Sequence, residues 1–108
     1  MAMIDNLEAM LADGRDDAML RFGLGSAYFS QGELASAVTH LEACIAHDAS
    51  YAAAYKLLGK SYFQLGKYNE AQRVLQAGLP VAVEKGDKQS QKEIEVFLKK
   101  TQKVIADG

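Results

Sequence analysis

What the chain lacks narrows the field first. Its 108 residues contain one cysteine, which excludes an internal disulfide framework and fits a reducing compartment. There is one proline, so little interrupts helix-forming material. No segment alternates apolar and polar residues long enough to suggest a strand. No apolar run approaches the length of a membrane span. The opening Met1-Ala2-Met3-Ile4-Asp5-Asn6 has neither a basic stretch nor an apolar one, so no secretion signal is read there and a cytoplasmic location is expected. The net charge of −2 offers no general affinity for nucleic acid. That charge is nonetheless unevenly spread. Residues 1–54 hold eight acids and two bases, a balance of −6, and residues 55–108 hold ten bases and six acids, a balance of +4. Such asymmetry can mark an anionic partner at one end, or reflect no more than solvated helix faces.

What is present is a repeat. Leu24-Gly25-Ser26-Ala27-Tyr28-Phe29 returns thirty-four residues later as Leu58-Gly59-Lys60-Ser61-Tyr62-Phe63. Each copy is followed at one spacing by Gly32 or Gly66, Ala37 or Ala71, Leu41 or Leu75, and Ala43 or Ala77. A fixed period of this size means stacked supersecondary units that bury a continuous core between neighbours. Helical periodicity predicts helices over about 4–13, 17–31, 34–47, 51–65, 68–85 and 87–106. Asp16, Ser50 and Asp87 are the expected N-caps, and Gly32, Gly66 and Gly86 the stops. Pro80 is expected to kink or break the fifth helix. Leu24, Tyr28, Leu41, Leu58, Tyr62, Val74, Leu75 and Leu98 are the predicted core.

The ends echo the repeat more loosely. Leu7-Glu8-Ala9-Met10-Leu11-Ala12 resembles Leu41-Glu42-Ala43-Cys44-Ile45-Ala46 at the same spacing, so the first helix reads as the second half of a unit. The last helix carries the stripe Ile94, Phe97, Leu98, Thr101, Val104 and Ile105. Its opposite face is polar, as a terminal cap requires.

The second unit reads Tyr55-x2-Leu58-Gly59-x2-Tyr62…Ala71-x3-Leu75, and the first Arg21-x2-Leu24-Gly25-x2-Tyr28…Ala37-x3-Leu41. In this the chain resembles the tetratricopeptide repeat family, whose pattern is W-x2-L-G-x2-Y…A-x3-F…P. Arg21 departs from the large apolar residue, and Ala49 and Val83 from the closing proline. The resemblance implies an all-α right-handed superhelical stack of antiparallel helix pairs. Residues 1–108 would form one unit of this kind: an N-terminal half-repeat helix (4–13), repeats at 17–48 and 51–85, and a capping helix (87–106). It also implies that the inner face of each unit's first helix lines a concave groove that holds peptides. Walking the helical faces, the groove candidates are Met19, Phe22, Ser26, Phe29 and Ser30, then Ala53, Lys56, Lys60, Phe63 and Gln64, with Lys92 and Lys99 from the cap. Lys56 and Lys60 stand one turn apart with no carboxylate nearby in sequence, so an acidic and apolar segment is the expected ligand.

Other chemistry finds little support. Gly23-x-Gly25 lacks a preceding strand, and Tyr28 stands where a dinucleotide fingerprint needs glycine. His40, Cys44 and His47 share a helical face, but the two histidines are about 10 Å apart along the axis, too far to share one zinc ion. No nucleophile–base pair has an orienting acid. The expected function is therefore non-catalytic binding of a protein or peptide, with no cofactor, metal, nucleic acid or membrane. The alternative is self-assembly, pairing an acidic N-terminal half with a basic C-terminal half.

Overall fold

The computed structural model describes residues 2–108 as six helices: α1 Ala2–Ala12, α2 Ala18–Ser30, α3 Leu34–His47, α4 Ala52–Gln64, α5 Tyr68–Lys85 and α6 Lys88–Asp107. There is no strand among the described residues. The helices form a right-handed stack of antiparallel pairs, 44 × 29 × 19 Å, each packed mainly on its chain neighbours.

The two tight turns are copies of one another. Glu33 N–H donates to Tyr28 C=O and Gly32 N–H to Phe29 C=O; thirty-four residues on, Lys67 N–H donates to Tyr62 C=O and Gly66 N–H to Phe63 C=O. The outer bond of each pair closes a Schellman-type end, which needs a left-handed residue. Gly32 and Gly66 supply it at φ 77°, and Gly86 does so after α5 at φ 68°.

Four leucines at repeat-equivalent positions, Leu24, Leu41, Leu58 and Leu75, are completely buried. Each contributes about 1.5–3 kcal/mol by leaving water. Two of them lie directly on glycine. A Cβ on Gly25 would stand 2.6 Å from Leu41 Cγ, and one on Gly59 would overlap the Leu75 side chain. A third glycine does the same for an aromatic residue: a Cβ on Gly78 would overlap Tyr55. In the first unit these two positions are Arg21 and Cys44.

Some expectations need correction. Asp17, not Asp16, caps α2, accepting from Leu20 N–H at 2.8 Å. Tyr51, not Ser50, takes the cap position of α4 and makes no side-chain cap; Ser50 instead donates through its N–H and hydroxyl to Asp48. Tyr28 and Leu98 are half-buried rather than buried, whereas the other six predicted core residues are buried. Pro80 does not break its helix, since α5 runs unbroken through it. Pro80 and Gln76, whose carbonyl loses its donor, are both exposed, so water can satisfy what the ring cannot. Asp87 does cap α6, accepting from Ser90 N–H at 3.0 Å and Ser90 hydroxyl at 2.7 Å.

The glycines give a test with opposite signs. Alanine is favoured over glycine in a helix by up to about 1 kcal/mol. At Gly59 the added methyl meets the buried Leu75, an overpacking that costs about 1–3 kcal/mol. At Gly23 it meets only Leu7 Cδ1 at 3.6 Å, an ordinary contact. Gly59→Ala should lower the melting temperature by several degrees, and Gly23→Ala should raise it, at about 4–8 °C per kcal/mol. Thermal melts followed by circular dichroism decide both.

Candidate protein-interaction groove

The residues proposed from sequence as one groove fall into two settings. In the first unit an apolar groove of about 690 Å³ opens between α1 and α2. Met3, Ile4 and Leu7 line it from α1, and Phe22, Ser26 and Ser30 from α2. Gly23 and Ala27, the small residues of the α2 wall, give it depth. Phe22 is held by stacking on Tyr51, with ring centroids 5.0 Å apart, so it forms a fixed wall. Met19 lies one turn earlier on α2 and is 69% exposed. Phe29 is half-buried against the core and does not line this groove.

The second unit is different because α6 has closed over it. Lys56 Nζ lies 3.4 Å from Glu93 Oε2, and Lys60 Nζ lies 2.5 Å from Glu93 Oε1. The carboxylate expected from a partner is thus supplied within the chain. Phe63 meets Phe97 edge-on at 5.7 Å and Tyr68 at 5.3 Å, and is half-buried. Lys60 and Lys100 lie over the Phe97 ring at 5.2 and 4.8 Å, a cation–π arrangement. Gln64, Lys92 and Lys99 are exposed. Sequence reasoning missed Glu93. It stands 33 and 37 residues from the two lysines, about one repeat length, the separation at which successive first helices become neighbours.

Polar bonds lock α1 and the α1–α2 loop in place. Tyr28 hydroxyl donates to Glu8 at 2.8 Å, and Tyr62 hydroxyl donates to Glu42 at 2.6 Å, the same bond one period on. Burial and the Glu42 carboxylate push Tyr62 up to about 12. Asp16 receives two bonds from Arg21 and lies 2.9 Å from His47 Nε2. The Arg21 guanidinium foremost, with His47, holds its carboxyl well below the usual range. Arg21 also reaches His40 Nδ1 at 3.1 Å, and His40 stacks on Tyr28. Both histidines are therefore occupied structurally. Cys44 is fully buried, and desolvation pushes its thiol up to about 11. Among the described residues no group of three or more His, Cys, Asp or Glu is placed to hold a metal.

A profile of the tetratricopeptide repeat matches residues 28–87, more than half of the chain. The chain belongs to the tetratricopeptide repeat family. It is similar to a TPR repeat-containing protein of Pseudomonas aeruginosa, 46% identical over 98 residues that cover 91% of this chain and 93% of that one. Its fold is similar to the solution structure of a Bordetella parapertussis protein, with a TM-score of 0.81, 38% identity and coverage of 98% and 92% of the two chains. It is also similar to a tetratricopeptide repeat domain protein of Salinibacter ruber, with a TM-score of 0.73, 24% identity and coverage of 80% and 97%. Repeats of this family in general mediate protein–protein interaction and serve as non-catalytic scaffolds. No described helix is long and apolar enough to cross a membrane.

The Glu93 bridge yields a pH-dependent test. The Lys60 hydrogen bond, with Lys56, holds Glu93 below its ordinary value of 4.5. A carboxylate whose folded value is depressed adds stability above the ordinary value, and that stability is lost as pH falls through the folded one. Glu93→Gln should therefore lower the melting temperature at pH 7, consistent with about 0.2–1 kcal/mol per partly exposed pair. The gap to wild type should narrow below pH 4.5 and in added salt. A gap unchanged from pH 7 to pH 3, measured by thermal melts about four pH units apart, would show the bridge to be energetically silent.

Proposed function

We propose that the chain binds a segment of another protein in the concave face of its first unit, at the apolar groove formed by α1 and α2. The observation that carries this reading is the groove itself: fixed apolar walls at Leu7 and Phe22, polar positions at Ser26 and Ser30, and Met19 exposed beside it. Concave apolar sites with a few polar groups are where ligands are bound. Exposed methionine next to an aromatic residue is characteristic of contact surfaces.

Of the residues read from sequence, Met19, Phe22 and Ser26 carry the contact, and Phe29 supports it from behind. Lys56 and Lys60 form a second, weaker region. They share one carboxylate between two ammonium groups and keep one excess positive charge beside Phe63, with Gln64 exposed at its edge. An acidic residue of the ligand would compete with Glu93 there, so apolar contact in the first unit contributes most of the affinity. We read the protein as non-catalytic and cytoplasmic. Its histidines are bound up in the Asp16–Arg21 network, and its one thiol is buried and unpaired. The self-assembly reading is supported by the opposite charges of the two halves.

Selection from a display library of linear peptides tests this. Wild type should enrich a family of apolar sequences. Ser26→Arg, a half-exposed change in the groove wall, should abolish their binding while leaving the melting temperature within a few degrees. Lys60→Ala should weaken them by less than about tenfold, as a partly exposed charge does. Peptides that bind Ser26→Arg as well as wild type place the contact elsewhere.

A further inference from the structure

The first unit holds a side-chain network that the second unit lacks. Arg21, His40 and His47 stand where the second unit has Tyr55, Val74 and Val81, and Asp16 stands where it has Ser50. What the two units share is the tyrosine bond, Tyr28 to Glu8 in one and Tyr62 to Glu42 in the other. His40 is 8% exposed, and its ring lies parallel to the Tyr28 ring, with centroids 5.5 Å apart and 3° between the planes. The Arg21 guanidinium is fixed by Asp16, to which Nε donates at 2.7 Å and Nη2 at 3.0 Å. Its remaining nitrogen, Nη1, lies 3.1 Å from His40 Nδ1.

A guanidinium has only N–H donors and no acceptor. His40 Nδ1 must therefore accept, which makes His40 a neutral imidazole with its hydrogen on Nε2. A second proton can enter only at Nδ1, where it removes the bond and sets two cations against each other. We propose that the Arg21–His40 contact is a proton-operated joint: a neutral imidazole completes the first unit, and protonation pushes the ring off Arg21, unstacks it from Tyr28 and loosens the hold on Glu8 and α1. Arg21 is not the partner that yields, because Asp16 holds it by two bonds and is itself 2.9 Å from His47 Nε2. The second unit, with Val74 buried at the same place, has no such joint.

Burial is the largest influence on His40, and it disfavours the imidazolium. Among charged groups, Glu8 of α1 and Asp16 of the α1–α2 loop favour the imidazolium and Arg21 of α2 opposes it, while α3 and α4 add none. Tyr28 is kept neutral by its bond to Glu8, and Cys44, one turn along α3, is a buried neutral thiol. The net effect holds the ring below the ordinary histidine value of 6.5. A base depressed in this way binds its proton less well folded than unfolded. The stability it contributes is present above pH 6.5 and is lost as pH falls from there toward the folded value.

Intact protein without ligand serves for the test, so a failure leaves the groove reading untouched. Long-range proton–nitrogen correlation spectra at about pH 7.5 should show His40 as the neutral Nε2–H form; the Nδ1–H form or an imidazolium overturns the proposal. As His40 is titrated with acid, the Tyr28 and Glu8 signals should move with it, while those of their repeat counterparts Tyr62 and Glu42 stay in place. Equal movement in both pairs, or movement in neither once His40 is protonated, overturns it. Wild type should also lose several degrees of melting temperature between about pH 7.5 and about pH 5.5, either side of the ordinary value. His40→Gln keeps an acceptor for Arg21 but takes up no proton, and should lose no more than about half as much. His47→Gln should lose as much as wild type. A His40→Gln protein that shows the wild-type loss places the titrating group elsewhere and sinks the joint.

Discussion

The close approach of leucine to glycine between paired helices is the constraint from which the rest of the molecule follows. Gly25 under Leu41 and Gly59 under Leu75 let two helix axes come together with only the leucine side chain between them. Once that distance is set, the helices on either side must follow the same spacing. The repeated turn glycines then have to bring the chain back at the same angle, and the buried leucines of both units form one row. The Gly78–Tyr55 contact shows the same economy with sizes exchanged. A large aromatic on one helix is matched by the absence of a side chain on the other, and its hydroxyl still reaches the Ala49 carbonyl at 2.7 Å. In the first unit the corresponding pair is Arg21 and Cys44, and the guanidinium bonds Asp16 and lies 3.1 Å from His40 Nδ1.

Much of this is legible in the sequence because the repeat is read twice. Leu58 and Gly59 could be assigned to the seam since Leu24 and Gly25 say the same thing one period earlier, and errors in one copy are corrected by the other. Legibility ends where the chain does something once. The position of Glu93 between Lys56 and Lys60 depends on how α6 crosses α4, and the capping helix has no repeat partner to compare with. Asp16 and Asp17 are adjacent acids, either able to cap; the choice is settled by Arg21 and His47, which draw Asp16 away. The break expected at Pro80 does not occur, because its effect depends on which side of the helix it occupies. On the wet side, the lost hydrogen bond is replaced by solvent.

The candidate groove shows the same division. Phe22, Ser26 and Met19 follow from the family resemblance together with helical position. That the two lysines belong to a closed internal ion pair, and that Met3 and Leu7 form the opposite wall, required the tertiary arrangement. The half-repeat at the N-terminus and the cap at the C-terminus are not equivalent ends. Polar residues and Glu95 finish α6, whereas α1 presents the apolar face that the other second helices bury.

The polar lock between Glu8 and Tyr28 has a kinetic corollary. In a stack joined by nearest-neighbour interfaces, each interface opens at its own rate, and the outermost opens most often. Because α1 leans on α2 alone, its release disturbs no other helix, and its backbone amides will exchange with solvent ahead of those in α3, α4 and α5. The Tyr28 hydroxyl, donating to Glu8, makes the polar bond that such an opening must break. When it lets go, the rest of the repeat row keeps its shape, and when it closes, Leu7 returns to the same place over Gly23.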